Sequence, residues 1–309
     1  MFLWLFPFHV QRGKDQLITL TLSSRKESYL FVLAICRKAW YKATIMAKSS
    51  NFPYEHYQKL AEPLTVYYPA GQETLARWTS QTLDKAGILL AQLLGLNMPE
   101  IQILLVTPAD WNAAPQDDPE EPNSMLPYLT DATSPHTIVI PTQLDPIIGE
   151  PTQEKLAFLL YHELAHAFLE NDPRPWPEES PLWADEWQLQ FAALWLAHQI
   201  NGQQGVVMKD LHERYSEIFV PEEDGKTPVT IRGFDWYDDT TPEDYLTFDL
   251  QLEQFAADLL AHYGPEILPH FLSLYRKNSG VLLSDDVTNL LETTLGQGSI
   301  EWLDDLVYF

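Results

Sequence analysis

The stretch Lys155-Leu-Ala-Phe-Leu-Leu-Tyr-His-Glu-Leu-Ala-His-Ala-Phe-Leu-Glu170 decides how the rest of the chain is read. At its centre stands His162-Glu163-Leu164-Ala165-His166, an HExxH pattern. Residues four apart on a helix share a face, with Cβ atoms about 5–6 Å apart. Two imidazoles at that spacing can close on one zinc ion, with bonds of about 2.0–2.1 Å. Glu163, beside the first histidine, is then placed to take a proton from a water at the metal. The flanks are those of a buried helix: Leu156, Phe158, Leu159, Leu160, Leu164, Ala165 and Phe168 leave little polar surface besides the motif. Thr152 reads as the N-cap, and Glu154 adds a favourable charge in the first turn. On an ordinary helix the same pentapeptide would hold two hydrogen-bonded core histidines. The choice between ligands and core depends on what lies downstream.

Composition narrows the classes. A chain of 309 residues holds one large domain or two modest ones. A hydrophobic content of 45% with 12% aromatic residues supports a sizeable core, which excludes global disorder. The net charge of −25 argues against nucleic acid and against anionic membranes as partners. Its simplest meaning is solubility, although it also suits basic substrates. One cysteine, Cys36, excludes an intrachain disulfide and any cysteine zinc cluster, so histidines and carboxylates are the available metal ligands. The single cysteine and the lack of a clear signal sequence favour the cytoplasm without fixing it.

Charge sign divides the chain. Residues 1–48 carry eight Lys/Arg and two Asp/Glu, whereas the rest carries eleven and forty-two. Such a reversal marks a boundary. Residues 1–48 read as an N-terminal extension outside the core, with Met46 opening Met-Ala-Lys-Ser-Ser in the manner of a start. The apolar run Tyr29–Cys36 is far short of the roughly 20 residues that span a bilayer. From residue 49 to 170 the pattern is α/β. Leu64–Tyr68, Ile101–Val106 and His136–Ile140 read as strands, and Glu73–Leu94 as a long amphipathic helix ended by Gly95. Residues 107–135, rich in Pro, Asp and Asn, read as a long loop. Beyond the Pro-rich connection Asn171–Pro181, residues 171–309 read as helical: Leu182–Ile200, Val207–Phe219, Glu243–Tyr263, Pro265–Lys277, Ser284–Leu295 and Ser299–Val307. The first of these helices places Asp185 and Glu186 among three tryptophans and much aliphatic surface. They could serve the helix dipole. A buried carboxylate there would instead need a cation, and zinc could be it.

The spacing from His166 to Glu186 resembles that of the gluzincin metallopeptidases, whose third zinc ligand is a Glu on the next helix. The context Pro181-Leu-Trp-Ala-Asp-Glu-Trp187 is similar to the Trp-x-x-Glu-Gly-x-Ala segment of the aminopeptidase-type and peptidase MA-like members. Trp187 stands where that family has Gly, which bears on the shape of the cleft. The resemblance covers roughly residues 62–277 and implies an α+β fold: a zincin-like lobe of mixed sheet and HExxH helix, and a mostly helical second lobe. It implies a zinc-dependent peptidase acting on a peptide or protein substrate. His162, His166 and Glu186 would be the metal ligands and Glu163 the general base. Tyr245 would be the oxyanion donor, unless Phe248 takes that position. Gln190, one turn after Glu186, would orient a histidine, and His136–Ile140 would be the edge strand that pairs with substrate. A metzincin is excluded, because Leu169 and Asp172 stand where Gly and His are required. The alternative to a peptidase is a binding or regulatory protein that keeps the fold without the activity. His198, His212, His262 and His270 read as structural or surface residues.

Overall fold

Two parallel strands joined through a helix form the frame. In the computed structural model, which describes residues 52–117, 124–221, 229–234 and 240–309, β1 (Gln58–Leu60) and β2 (Thr65–Tyr68) pair antiparallel. Helix α1 (Glu73–Leu94) then crosses over to β3 (Ile101–Val106), which lies parallel to β2. A parallel pair needs such a crossover, because a tight turn cannot reverse the chain direction twice. Gly95 ends α1 in the left-handed region at φ 65°, where a Cβ would be strained. Two further strands, β4 (Tyr128–Thr130) and β5 (His136–Pro141), complete a five-stranded sheet in the order β1-β2-β3-β5-β4. From residue 182 onward the described elements are helical: α3 (Leu182–Asn201), α4 (Lys209–Arg214), α5 (Pro242–Tyr263), α6 (Ile267–Tyr275), α7 (Ser284–Leu295) and α8 (Ser299–Asp304). The class is α+β. None of the described helices is long and apolar enough to cross a membrane.

The HExxH segment lies in the helix α2 (Gln153–Glu170), between α1 and α3 and beside β4 and β5. Ile103, Leu105, Ile138 and Ile140 of the sheet pack with Phe158, Leu160, Leu164 and Phe168 of α2 in one core. Leu104, Val106 and Val139 face the other way, onto Phe52 and Trp111. That two-sided burial explains why β3 is apolar along nearly its whole length. Gln102, its polar exception, donates to Thr137 Oγ1 at 2.9 Å.

Three expectations need correction. His136–Ile140 is not an edge strand, since β5 is hydrogen-bonded to β3 on one side and β4 on the other. The edge on this side of the sheet is β4, inside the segment read as loop. Three residues between Pro127 and a turn are too few for an alternating pattern to register. The helix read at Val207–Phe219 is broken into α4 and a 3-10 turn, Ser216–Phe219. Two of the later helices are shorter than their apolar periodicity suggested, ending at Tyr275 and Asp304, whereas Ser284–Leu295 has the expected bounds. The reading of residues 1–48 as an extension lies outside the described residues.

Both ends of α2 are pinned by buried charge. At the N-terminal end the Thr152 hydroxyl accepts from the Lys155 amide at 3.2 Å. The Lys155 ammonium is buried and donates to the Ile148 carbonyl at 2.6 Å and to Asp210 Oδ2 at 2.8 Å. At the C-terminal end Arg276, 2% exposed, donates from Nη2 to the Leu169 carbonyl at 2.7 Å. Its guanidinium lies over the Trp176 ring, and Nε is 3.8 Å from Asp172 Oδ2. Arg174 Nε donates in turn to both Asp172 oxygens at 3.0 Å. A cation here meets the negative end of the helix dipole. Burial lowers the Arg276 pKa to about 10, which still leaves it charged at neutral pH. Burial raises the Asp172 carboxyl, but hydrogen bonds from Arg174 and the two guanidinium charges outweigh it and hold the pKa below the ordinary value.

Replacing Arg276 with Met strands Asp172 beside one cation instead of two and frees the Leu169 carbonyl. Denaturant unfolding of Arg276→Met should show a loss of about 3 kcal/mol, the scale for breaking a buried pair. An unchanged midpoint would contradict the pinning. The pH sign follows from the depressed Asp172 pKa. Its stabilisation is complete above the unfolded value of about 3.9 and is lost as pH falls through the lower folded value. The deficit of Asp172→Asn against wild type should therefore be full at neutral pH and shrink in acid.

Candidate metal centre

Helical spacing brings the two histidines of α2 together, with ring centroids 5.0 Å apart. Packing of α3 against α2 adds Glu186. One donor atom from each of His162, His166 and Glu186 lies within 4.8 Å of the others. His162 Nε2 and Glu186 Oε2 are 3.6 Å apart. Tetrahedral bonds of 2.0–2.1 Å hold donors about 3.4 Å apart, so small rotations would close this trio on an ion. Glu186 Oε2 is buried and has no hydrogen-bond partner among the described residues. A buried carboxylate without a partner is costly, and a cation at the centre of the trio would remove that cost. These three residues could therefore hold a metal ion.

The electrostatics point the same way. Burial, reinforced by His166, holds His162 well below the usual imidazole range, with the nearby Gln190 amide opposing. Burial lowers His166 to about 4. Both rings are neutral at neutral pH, the form that ligates. Burial drives Glu186 well above the carboxylate range, helped by Asp249, Asp185 and Glu163. Glu163 is raised to about 8 by burial, and Glu170 and Asp249 add to the effect. The Leu129 amide of β4 opposes it, donating to Glu163 Oε2 at 2.8 Å. Asp249 is raised to about 7, again mainly by burial. The cluster is thus a set of carboxyls short of positive charge.

Tyr245 belongs to the same neighbourhood. Burial raises its hydroxyl well above the phenolic range, and the charges acting on it are Glu186, Asp249 and Glu163 in that order. The hydroxyl keeps its proton and is a donor. Phe248 is not the alternative: it is fully buried and stacks on Phe234 with centroids 4.3 Å apart. Gln190 lies between His162 and α5, its Nε2 3.5 Å from Asp249 Oδ1.

Asp185 is held elsewhere. Tyr275 Oη donates to Asp185 Oδ1 at 2.8 Å, and Ser180 Oγ to Oδ2 at 3.0 Å. Its role is tying α3 to α6, which is more than the helix-dipole contribution read from sequence. Trp187 belongs to the hydrophobic core. It is fully buried against Phe271, Phe191 and Phe255, at centroid distances of 4.8, 6.0 and 6.2 Å. Of the other histidines, His212 meets Glu253 at 3.0 Å, His198 meets the Gly205 carbonyl at 2.9 Å, His262 packs on Trp302 and His270 is exposed. Sequence reading missed Asp249 and the Leu129 amide. A carboxylate between Phe248 and Leu250 on an apolar helix was a signal for the first; a backbone donor leaves none. The chain matches no protein-family model and no curated protein.

Asp185 and Glu186 should separate cleanly in thermal unfolding with and without added Zn²⁺. Asp185→Ala loses two hydrogen bonds to a charged group, so stability should fall by about 2 kcal/mol while any zinc-induced rise in Tm survives. Glu186→Ala should leave the metal-free protein nearly as stable and abolish the rise. The opposite pattern would give the ligand role to Asp185.

Proposed function

We propose that this protein is a zinc-dependent metallopeptidase that hydrolyses peptide bonds. The observation that carries the reading is the meeting of His162, His166 and Glu186 around a buried carboxylate oxygen with no hydrogen bond among the described residues. Two imidazoles and one carboxylate are the ligand set of a catalytic zinc, which keeps a coordination position open. A bound zinc supplies Lewis acidity toward a carbonyl and lowers the pKa of water from 15.7 to about 7.

The chain's own residues do the rest. With a cation bound to offset its burial, Glu163, on the same helix between the two histidines, would be ionised and would receive the proton of the attacking water and deliver it to the leaving amine nitrogen. Its Oε2 rests on the Leu129 amide, so the acceptor is held at the sheet edge. Tyr245 donates its hydroxyl proton in a hydrogen bond to the oxyanion of the tetrahedral intermediate. Gln190, backed by Asp249, orients His162. Strand β4 is the edge at which an extended peptide would pair, in place of β5. A second reading, a binding protein with the same centre, draws on one contact: the Leu129 amide engages Glu163 in a way that would suit a closed site.

Glu163→Gln keeps the shape and removes the base. It should retain stoichiometric zinc and lose at least ~10²-fold in turnover of a peptide library, the low end for general acid–base catalysis. Loss of zinc would make Glu163 a ligand. Wild-type protein that holds zinc yet cleaves nothing would favour the binding reading.

A further inference from the structure

Glu170 is the last residue of α2, one turn beyond His166 on the same face. Its carboxylate faces two imidazoles: Oε1 is 3.9 Å from His166 Nδ1, and Oε2 is 3.9 Å from His136 Nδ1. His136 comes from a different element, β5, and its Nδ1 is buried without a hydrogen-bond partner among the described residues. Asp131 and Asp117 also act on Glu170, and a carboxylate oxygen offers it no hydrogen to accept. An imidazole that ligates through one nitrogen carries its proton on the other, and that N–H needs an acceptor to fix the tautomer and the ring plane. Glu170 is the carboxylate placed beside His166 Nδ1, which leaves Nε2 for the metal.

We propose that Glu170 is a positioning residue of the metal centre, accepting the Nδ1 proton of His166 while His136 holds its second oxygen from β5. The inference rests on the zinc reading above. A side-chain rotation closes each 3.9 Å separation to a hydrogen bond, and the sheet then braces the ligand through a carboxylate. Gln190 has the corresponding place at His162, so each imidazole has its own partner. Because the Glu170 side chain is 43% exposed, its removal deletes little of the fold.

The test is zinc affinity, measured by competition with a chromophoric chelator, alongside the Tm of the metal-free protein. Glu170→Ala should weaken zinc binding 10- to 100-fold, the usual cost of losing such a partner. Glu170→Gln, which keeps an acceptor oxygen, should restore most of it. His136→Ala should weaken binding several-fold, and all three metal-free proteins should melt with wild type. Wild-type affinity in Glu170→Ala, or no rescue by Gln, would overturn the assignment while the zinc reading stands. A wild-type protein that takes up no zinc at all would instead sink that reading, and this inference with it.

Discussion

The site depends on one unsatisfied carboxylate. Glu186 enters from α3 beside two neutral imidazoles, and its Oε2 finds no donor among the described residues. Burial is what sets each pKa: it keeps protons off His162 and His166 and on Glu163, Glu186 and Asp249. Without a cation, these carboxyls hold protons, because once ionised they would repel one another. A divalent ion at the centre would reverse the sign of the local potential, and the same burial would then strengthen every interaction with it. A stability-only account of Glu186 has little to offer, because a well-packed apolar residue would serve the core better.

Holding that geometry falls to α2. Its histidines are useful only if the helix neither slides nor rotates against α3. The buried Lys155, paired with Asp210, fixes its start, and Arg276 on the Leu169 carbonyl fixes its end. Between them the apolar face of α2 is fused with the sheet and α3 in a single core. Asp185 contributes by tying α3 to Tyr275, so that its neighbour Glu186 is presented to the histidines. Adjacent carboxylates thus divide the work, one holding the helix and the other facing the centre.

Much of this was legible in the sequence. The i, i+4 histidines, the N-cap Thr152, α1 and β3 follow from periodicity and local chemistry, which act within a few residues. Carboxylates among tryptophans are anomalous, which drew attention to Asp185 and Glu186 alike; the resemblance in spacing to the gluzincins grouped Glu186 with the histidines. What escaped depends on contacts distant in sequence. Strand β4 is defined by its partner β5 and not by its own three residues. The Leu129 amide carries no side-chain signature. The burial of Trp187 depends on Phe255 and Phe271, which lie on two later helices. Arg276 lies 107 positions from the carbonyl it caps, beyond the reach of any local pattern.

The central claim is that these three side chains form one zinc site. Zinc K-edge X-ray absorption on protein loaded with one equivalent and then desalted tests it most directly. The account predicts retained metal with about four nitrogen and oxygen ligands, multiple-scattering features of two imidazoles at about 2.0–2.1 Å, and no sulfur. Zinc lost on desalting, or held in a six-oxygen shell without imidazole, would contradict it.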